Sequence, residues 1–524
     1  MFQYRVAELL RYFALAVVGV SSATSATRGT EPPNILVVLC DDLGYGDLAC
    51  YGAADLKTPN IDQLAREGLR LTSCYAAAAN CSPARTGLMT GRTPTRVGVH
   101  NWIPMFSPVH VRRQEITIAT LLRNAGYDTG HFGKWHLNGD FNLPSQPQPS
   151  DHGFNYWFST QNNALPNHRN PNNFVRNGEP VGPLEGYSGP LVTDEAVHWL
   201  KVVRDKSKPF FMYVCYHEPH EPIASDRQYT DLYPSDDPSY SAHHGNITQL
   251  DDACGRLLRT IDELALRENT FVLFTSDNGP AITGIHPHGS PGPFREKKGH
   301  LYEGGIRVPG IVRWPGHAEA GQVCDVPVSG VDLLPTLCEI AGINPPTDRV
   351  IDGTSFLPVL HQQAIERKRP LYWHFVRASS DPKVAMRVGD WKVLAKLDTP
   401  PLKPSADILE EEMQVLKTAK LAEFELYNLR QDPGETKDLA AQVAVPFAES
   451  RALLPDKRRP RVAALLSGTS HCTTTAAQEP VRLEQLVEQL RIVYSEVQSE
   501  SPVWPVWEWP RYESQRIEWP SYRK

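Results

Sequence analysis

The chain has 524 residues, 41% of them hydrophobic and 22% charged, enough apolar material for one large core or two unequal ones, which excludes a disordered or fibrous protein. Lys and Arg number 53 against 60 Asp and Glu, a formal charge of -7; nothing here attracts nucleic acid or an anionic membrane in general, and an anionic ligand has to be drawn by a local site. Pro, at 45, outnumbers Gly, at 36, which points to long stiffened loops rather than an all-helical protein.

The first 26 residues have the layout of a secretory signal peptide. Arg5 and Arg11 precede an apolar run at 13–20, and a small, polar stretch (SSATSATRGT) begins at Ser21, with cleavage expected near Ala23 or Ala26. The run is shorter than the roughly 20 residues a spanning helix needs, and no later segment is long enough. The expectation is an exported protein, periplasmic, secreted or lysosomal according to its organism, with no integral membrane segment in the mature chain.

From Ile35 the sequence Ile35-Leu36-Val37-Val38-Leu39 is continuously apolar, as in a strand buried on both faces of a parallel sheet. Comparable runs recur at 210–216 and 271–275. Helical spacing intervenes, with Ile61, Leu64 and Ala65 ahead of Gly68, and Ile118, Leu121, Leu122 and Ala125 ahead of Gly126. Alternating strands and helices predict an α/β fold with a mostly parallel central sheet flanked by helices, and a catalytic domain over 33–365. Such sheets gather ligands at the carboxyl ends of their strands, and two of those ends read Asp41-Asp42 and Asp277-Asn278.

Beyond about residue 366 the candidate strands are shorter, at 371–376, 385–394 and 424–429, with helical spacing at 406–422 and 483–494. They predict a smaller C-terminal α+β domain, 366–500, built on an antiparallel sheet and a packed helix. The tail, 501–524, is rich in Trp and Pro, with Trp504, Trp507, Trp509 and Trp519, and is expected to pack back on the body or to stand as an ordered arm. The odd count of nine cysteines gives no disulfide framework; Cys40 and Cys215 close apolar runs and read as buried thiols.

Cys81 differs. It opens the string Cys81-Ser82-Pro83-Ala84-Arg85, which continues as a helix toward Gly91, so free backbone N–H groups and a partial positive charge face whatever sits at Cys81. A thiolate nucleophile is one reading. Against it, Asp41, Asp42, Asp277 and Asn278 offer only oxygen, the donor set of Ca²⁺ or Mg²⁺. A hard cation beside a helix N-terminus, Arg85 and Lys134 suits a tetrahedral oxyanion.

These residues stand in order with further strings: CDDLGYGD from Cys40, TPNIDQLAREGLRL from Thr58, CSPAR from Cys81, GKWHL from Gly133, TSDNGP from Thr275, YEGGIRVP from Tyr302 and LYNLRQDPGETKDL from Leu426. Together they resemble the type I, formylglycine-dependent sulfatases of the alkaline phosphatase superfamily, over nearly the whole chain from Pro33 to about Leu439. The resemblance implies that a formylglycine-generating maturation enzyme converts Cys81 to formylglycine. Of the two geminal hydroxyls of the hydrated aldehyde, one attacks the sulfur of a sulfate ester and one expels sulfate. It further implies one Ca²⁺ on Asp41, Asp42, Asp277 and Asn278, touched also by the modified Cys81. Arg85 would steady that hydrate and the metal environment, and Lys134 and Lys298 would contact sulfate oxygens. His136 would hydrogen-bond the hydrate and assist its deprotonation. His220, between two prolines in HEPHEP, would protonate the leaving alcohol, with His217 a supporting or structural histidine.

The stretch 289–358 is more similar to the arylsulfatase A and N-acetylgalactosamine-6-sulfatase branch than to choline or alkyl sulfatases. A sulfated carbohydrate released from a chain end is the expected substrate, with aryl sulfates as surrogates and the loops 101–110 and 162–173 supplying polar contacts. Two other readings stay open on sequence: a phosphate or phosphonate ester hydrolase of the same superfamily, and a secreted, non-catalytic glycan-binding protein with the Trp-rich tail as its stacking surface. His286 and His288 read as substrate-contacting or solvated, Lys297 as a solvated charge, and Asn246-Ile247-Thr248 as a glycosylation sequon.

Overall fold

Strand β1 (Asn34–Asp41) is buried along its whole length, and its alternate side chains enter two different cores. Ile35, Val37 and Leu39 point to one face, while Leu36, Val38 and Cys40 point to the other. Each fully buried aliphatic side chain contributes about 1.5–3 kcal/mol of transfer free energy, so the register of this strand is held from both sides. The computed structural model describes residues 32–403, 405–441, 479–509 and 516–520; the expected signal peptide lies outside them.

Helix α1 (Pro59–Glu67) leads to β2 (Leu69–Tyr75), then come α2 (Cys81–Thr90), α3 (Ile118–Asn124), β3 (Asp128–Lys134) and β4 (Tyr156–Thr160). Two short strands, β5 (Val175–Arg176) and β6 (Glu179–Pro180), precede α4 (Ser188–His198), β7 (Phe210–Pro219), α5 (Pro238–Glu263) and β8 (Thr270–Ser276). The sheet is completed by β9 (Arg307–Arg313), β10 (Gln322–Cys324) and β11 (Val328–Ser329), after which α6 (Leu333–Ile340) packs against it. The strand order is β10-β2-β9-β8-β1-β7-β3-β4-β5-β6, with β11 paired to β2. The five central strands, β8-β1-β7-β3-β4, are mutually parallel, and β9 runs antiparallel to both of its neighbours. Helices α2, α3 and α6 fill one core, and α1, α4 and α5 fill the other. This is the α/β architecture expected from the alternating runs.

The C-terminal sheet is antiparallel, in the order β12 (Leu371–His374), β13 (Val384–Val388), β14 (Trp391–Leu397) and β15 (Leu421–Asn428). The run expected as one strand over 385–394 is two: Gly389 takes φ +57, and with Asp390 it turns the chain so that Val388 pairs with Trp391. The helix expected over 406–422 is shorter, α7 (Glu410–Thr418), because Ala419 is already extended. The last helix, α8 (Glu479–Glu500), is longer than its apolar spacing suggested, and its Leu486, Leu490, Val493 and Val497 cover the outer face of the sheet.

The inner face meets the large sheet through Tyr75, Trp373, Leu394 and Tyr427. A buried ionic group lies there. Lys392 on β14 reaches Glu303 at 3.0 Å and Glu435 at 2.8 Å, Glu435 accepts the Glu303 N–H at 2.6 Å, and Glu303 also accepts from the Tyr75 hydroxyl at 2.6 Å. All three charged residues have no exposed surface. Breaking such a group by removing one partner destabilises by about 3–5 kcal/mol. The eight cysteines among the described residues are free thiols, with Cys40 and Cys215 buried. The Asn246 sequon is buried in α5, its amide bound to the Ala224 carbonyl and the Ser225 hydroxyl, so it is not an accessible glycan acceptor in the folded chain.

Candidate active site

Every element of the site ends at the same edge of the parallel block. The carboxyl end of β1 delivers Asp41 and Asp42, that of β8 delivers Asp277 and Asn278, that of β3 delivers Lys134 and that of β4 delivers Thr160. Strand β7 runs out through His217 and Glu218 to His220. This convergence is what a parallel sheet provides. Local backbone finishes it: Asp42 and His136 adopt left-handed conformations, φ +66 and +57, which cost non-glycine residues about 1–3 kcal/mol each and persist where surrounding structure fixes them. Gly133 is required for a different reason, since a Cβ there would lie 1.9 Å from the Cys215 carbonyl oxygen.

Cys81 is the first residue of α2. Asn80 caps the helix, its Oδ1 accepting from the Cys81 N–H at 2.9 Å and from the thiol at 3.2 Å. Burial pushes the Cys81 thiol up, and Lys134 and Lys298 only partly oppose this. The unmodified side chain is therefore a protonated thiol, which weighs against thiolate chemistry. One turn on, Arg85 is buried and donates from Nε to Asp277 Oδ2 at 2.9 Å and from Nη1 to the Lys134 carbonyl at 2.9 Å. Its guanidinium binds neighbours of Cys81 and stitches α2 to β8 and β3.

The lysines neutralise the acidic strand ends. Lys134 Nζ lies 2.6 Å from Asp41 Oδ2, and Lys298 Nζ lies 2.6 and 2.8 Å from the two oxygens of Asp42. Burial opposes the charge of Asp41, but Lys134, His220, Arg85 and Lys298 outweigh it and hold its carboxyl well below the usual range. Asp277 goes the other way, raised to about 7 by burial and then by the charge of Asp41.

The donor set fits a hard cation. Ligand atoms of Asp41, Cys81 and Asp277 lie within 4.8 Å of one another, as do those of Asp41, Asp42 and His220. Asn278 turns its amide nitrogen to Asp42 at 2.7 Å, which leaves its buried Oδ1 without a hydrogen-bond partner among the described residues; Asp41 Oδ1 likewise accepts no hydrogen bond from them, with Arg85 Nη2 3.8 Å away. Buried acceptors with no donor are what a cation satisfies.

Among the residues assigned to catalysis or metal binding, His220 and Lys298 are partly exposed, while Asp41, Asp42, Cys81, Arg85, Lys134, His136, Asp277 and Asn278 are buried. The opening of the site is on the His220 and Lys298 side. The His220 Nδ1 lies 2.5 Å from the Glu221 carbonyl, so it carries the proton and Nε2 faces Asp42 at 3.6 Å. Burial lowers this imidazole to about 4. His136 is buried and its Nε2 donates to the Ile103 carbonyl at 3.1 Å.

His217 does not reach the opening; its Nε2 is 2.8 Å from the Thr160 hydroxyl, which itself donates to the Asn162 carbonyl. Lys297 is not a free surface charge, because its ammonium holds the Ile282 carbonyl at 2.6 Å. His288 pairs with Ser239 and Asp237, and His286 is buried, so neither is a solvated loop histidine. Sequence reasoning did not single out Thr160 or Gln161, whose carbonyl accepts the His136 N–H at 2.7 Å. The one available signal for Asn80 was its place immediately before a helical run, where Asn is a preferred cap.

Comparison with known proteins agrees with this geometry. The family model described as Sulfatase matches residues 33–343, and that described as N-sulphoglucosamine sulphohydrolase, C-terminal, matches residues 293–396. N-acetylgalactosamine-6-sulfatase of Mus musculus is 35% identical over 395 residues, covering 70% of this chain and 72% of that one. Arylsulfatase A of Homo sapiens is 32% identical over 454 residues, covering 79% and 84%. The solved structure of Ps i-CgsB in complex with k-i-k-neocarrahexaose superposes with a TM-score of 0.68 at 27% identity, covering 80% of this chain and 91% of that one. With the Sulfatase match spanning more than half of the chain and the acidic strand ends, the capped Cys81 and two lysines drawn to one edge of the sheet, this protein belongs to the sulfatase family and is a sulfate ester hydrolase.

Proposed function

We propose that the chain is an exported enzyme that releases inorganic sulfate from a sulfated sugar, with aryl sulfates as surrogate substrates. The observation that carries this reading is the meeting of Cys81, at a helix N-terminus, with Asp41 and Asp277 and with Lys134 and Lys298. An anion placed there finds helix N–H groups and two ammonium groups. Homologues named for a sulfated sugar support the substrate class.

Asp41, Asp42, Asp277 and Asn278 would hold one Ca²⁺, which supplies Lewis-acid polarisation and offsets negative charge on the sulfate group. Cys81 oxidised to formylglycine would supply, as its hydrate, the geminal hydroxyls that attack sulfur and later expel sulfate. The protein's other residues then have separable tasks. Arg85 fixes Asp277 and the Lys134 backbone, so the cation site and the base of α2 stay in register. Lys134 and Lys298 exchange their carboxylate partners for sulfate oxygens. His136 positions and deprotonates the nucleophilic residue. His220, beside the opening, delivers a proton to the departing sugar oxygen from Nε2 after taking up a second proton there, which the facing carboxylate of Asp42 favours against the burial that opposes it.

Purified protein should release free sulfate from sulfated monosaccharides or oligosaccharides, while the mass of the Cys81 peptide shows conversion to the aldehyde. Phosphodiester hydrolysis with no detectable sulfatase activity would overturn the reading. A glycan-binding role without catalysis is disfavoured because each residue the chemistry needs is present and assembled.

A further inference from the structure

Asn80 departs from an ordinary cap at the head of α2. An N-cap oxygen usually accepts the N–H of the second or third helical residue. Here Oδ1 accepts that of the first, Cys81, at 2.9 Å, and lies 3.2 Å from the Cys81 thiol. The residue is only 8% exposed, so its amide is turned inward on the side chain that the reaction uses.

A second amide fixes which way round it sits. Asn80 Nδ2 donates to Asn101 Oδ1 at 3.1 Å, and Asn101 Nδ2 donates to the Ser405 carbonyl at 3.4 Å. The ends of this chain are backbone groups of fixed polarity, an N–H that only donates and a carbonyl that only accepts. Turning either amide over would set donor against donor or acceptor against acceptor, so both orientations follow from the pattern. The loop that carries Asn101 is held separately to the first turn of α2, where the Ile103 N–H donates to the Ser82 hydroxyl at 3.0 Å.

We infer that Asn80 is a further catalytic residue and Asn101 the positioning residue that orients it: Asn80 Oδ1 holds one of the two geminal hydroxyls of the hydrated residue 81 and leaves the other to attack. This rests on the formylglycine reading above. The thiol stands in for one hydroxyl, since both are carried on the same Cβ, and a hydroxyl is the stronger donor. An amide oxygen accepts a hydrogen bond without taking the proton, so the hydroxyl it holds stays neutral. The other hydroxyl loses its proton to His136, whose Nδ1 has no hydrogen-bond partner among the described residues. Its oxygen bonds to sulfur, the bond from sulfur to the sugar oxygen breaks with its electron pair on that oxygen, and His220 protonates it. Rotation about the Cα–Cβ bond would exchange the two hydroxyls; pinning one at Asn80 prevents this and keeps the attacking oxygen aimed.

The test uses the matured, metal-loaded enzyme, with each rate divided by the fraction of residue 81 found as aldehyde by peptide mass. Asn80→Leu should lower kcat about tenfold with KM nearly unchanged, because the lost contact is to the nucleophile and not to substrate. Asn80→Ser, an equally good cap whose oxygen lies one bond nearer the backbone, should recover the Tm lost in Asn80→Leu but not kcat. Asn101→Leu should lower kcat about fivefold, and Asn101→Asp, which keeps the oxygen that Asn80 needs, should recover most of that loss. Independently of turnover, an aminooxy reagent condenses with the aldehyde to give an oxime and water, so its rate reports how firmly the hydrate is held. Capture should be about fivefold faster in Asn80→Leu than in wild type, the factor for one neutral hydrogen bond. Recovery of kcat together with Tm in Asn80→Ser, or unchanged oxime formation in Asn80→Leu, would make Asn80 a cap only and overturn the inference. Fully active wild type whose residue 81 is entirely cysteine would instead overturn the formylglycine reading, and the role of Asn80 with it.

Discussion

Arg85 and Asp277 are joined across the site by two contacts to one oxygen, Nε at 2.9 Å and Nη2 at 2.8 Å from Asp277 Oδ2, with both side chains 1% exposed. The pair ties the helix that begins at Cys81 to the strand that ends at Asp277 and Asn278. Arg85→Ala should therefore lower unfolding free energy by about 3–5 kcal/mol, the usual result of leaving a buried carboxylate without its partner. Denaturant unfolding measures this; a change below about 1 kcal/mol, the range of exposed pairs, would show that the pair is dispensable.

Cys81→Ala should fold and bind metal yet lose nearly all turnover, since a small side chain fits the buried position and the nucleophile is gone. Cys81→Ser should be equally inactive unless a serine-specific maturation system is present. Fully active protein whose Cys81 peptide has only the mass of unmodified cysteine would refute the formylglycine assignment. In unmodified protein, burial and the raised thiol should keep Cys81 from alkylation at pH 8 until the chain is unfolded.

Adding Ca²⁺ to chelator-treated protein should raise Tm, because a ligand that binds only the native state stabilises it by mass action. Asn278→Leu should remove most of that shift together with activity, since the proposed site would lose the Oδ1 that has no hydrogen-bond partner among the described residues. Metal analysis of active protein showing zinc at full occupancy, with neither calcium nor magnesium, would contradict the oxygen-donor reading.

His220→Ala should reduce kcat for sulfated sugars by about 10²- to 10⁴-fold, the range for loss of a general acid. Aryl sulfates should suffer much less, because a phenolate departs with little help from a proton. Equal losses on both classes would assign His220 to binding instead.

His374, on β12, is held by burial at about 4, and neither ring nitrogen has a hydrogen-bond partner among the described residues. Its unfolded value is about 6.5. Between these values the unfolded chain binds the additional proton, so stability is fully present above pH 6.5 and falls as pH drops toward 4, by up to about 1.4 kcal/mol per pH unit. The stability of the wild type should fall more steeply with acid than that of His374→Gln over this window; parallel pH profiles would be the contrary result.

Strands β1, β7 and β8 were legible because a parallel strand buried on both faces is an unbroken apolar run, and the acids that follow β1 and β8 stand out; β2, β3 and β9, whose runs polar and glycine residues interrupt, were not read. β4 was not legible. Its five residues, Tyr156 to Thr160, contain no turn signal or acid, so Thr160 and the adjacent Gln161 carried no mark of their position. The Gly389-Asp390 turn was read through because apolar residues flank it closely. The group of Glu303, Lys392 and Glu435 could not be read at all, since its members are brought together only by the docking of one sheet on another.

That ionic group also fixes an order of events during synthesis. Glu303 lacks Lys392 until residue 392 is made, and its N–H lacks the carboxylate that accepts it until residue 435 is made. Cys81 is buried in the finished protein, so an enzyme that modified it would have to reach it before the chain closes around it.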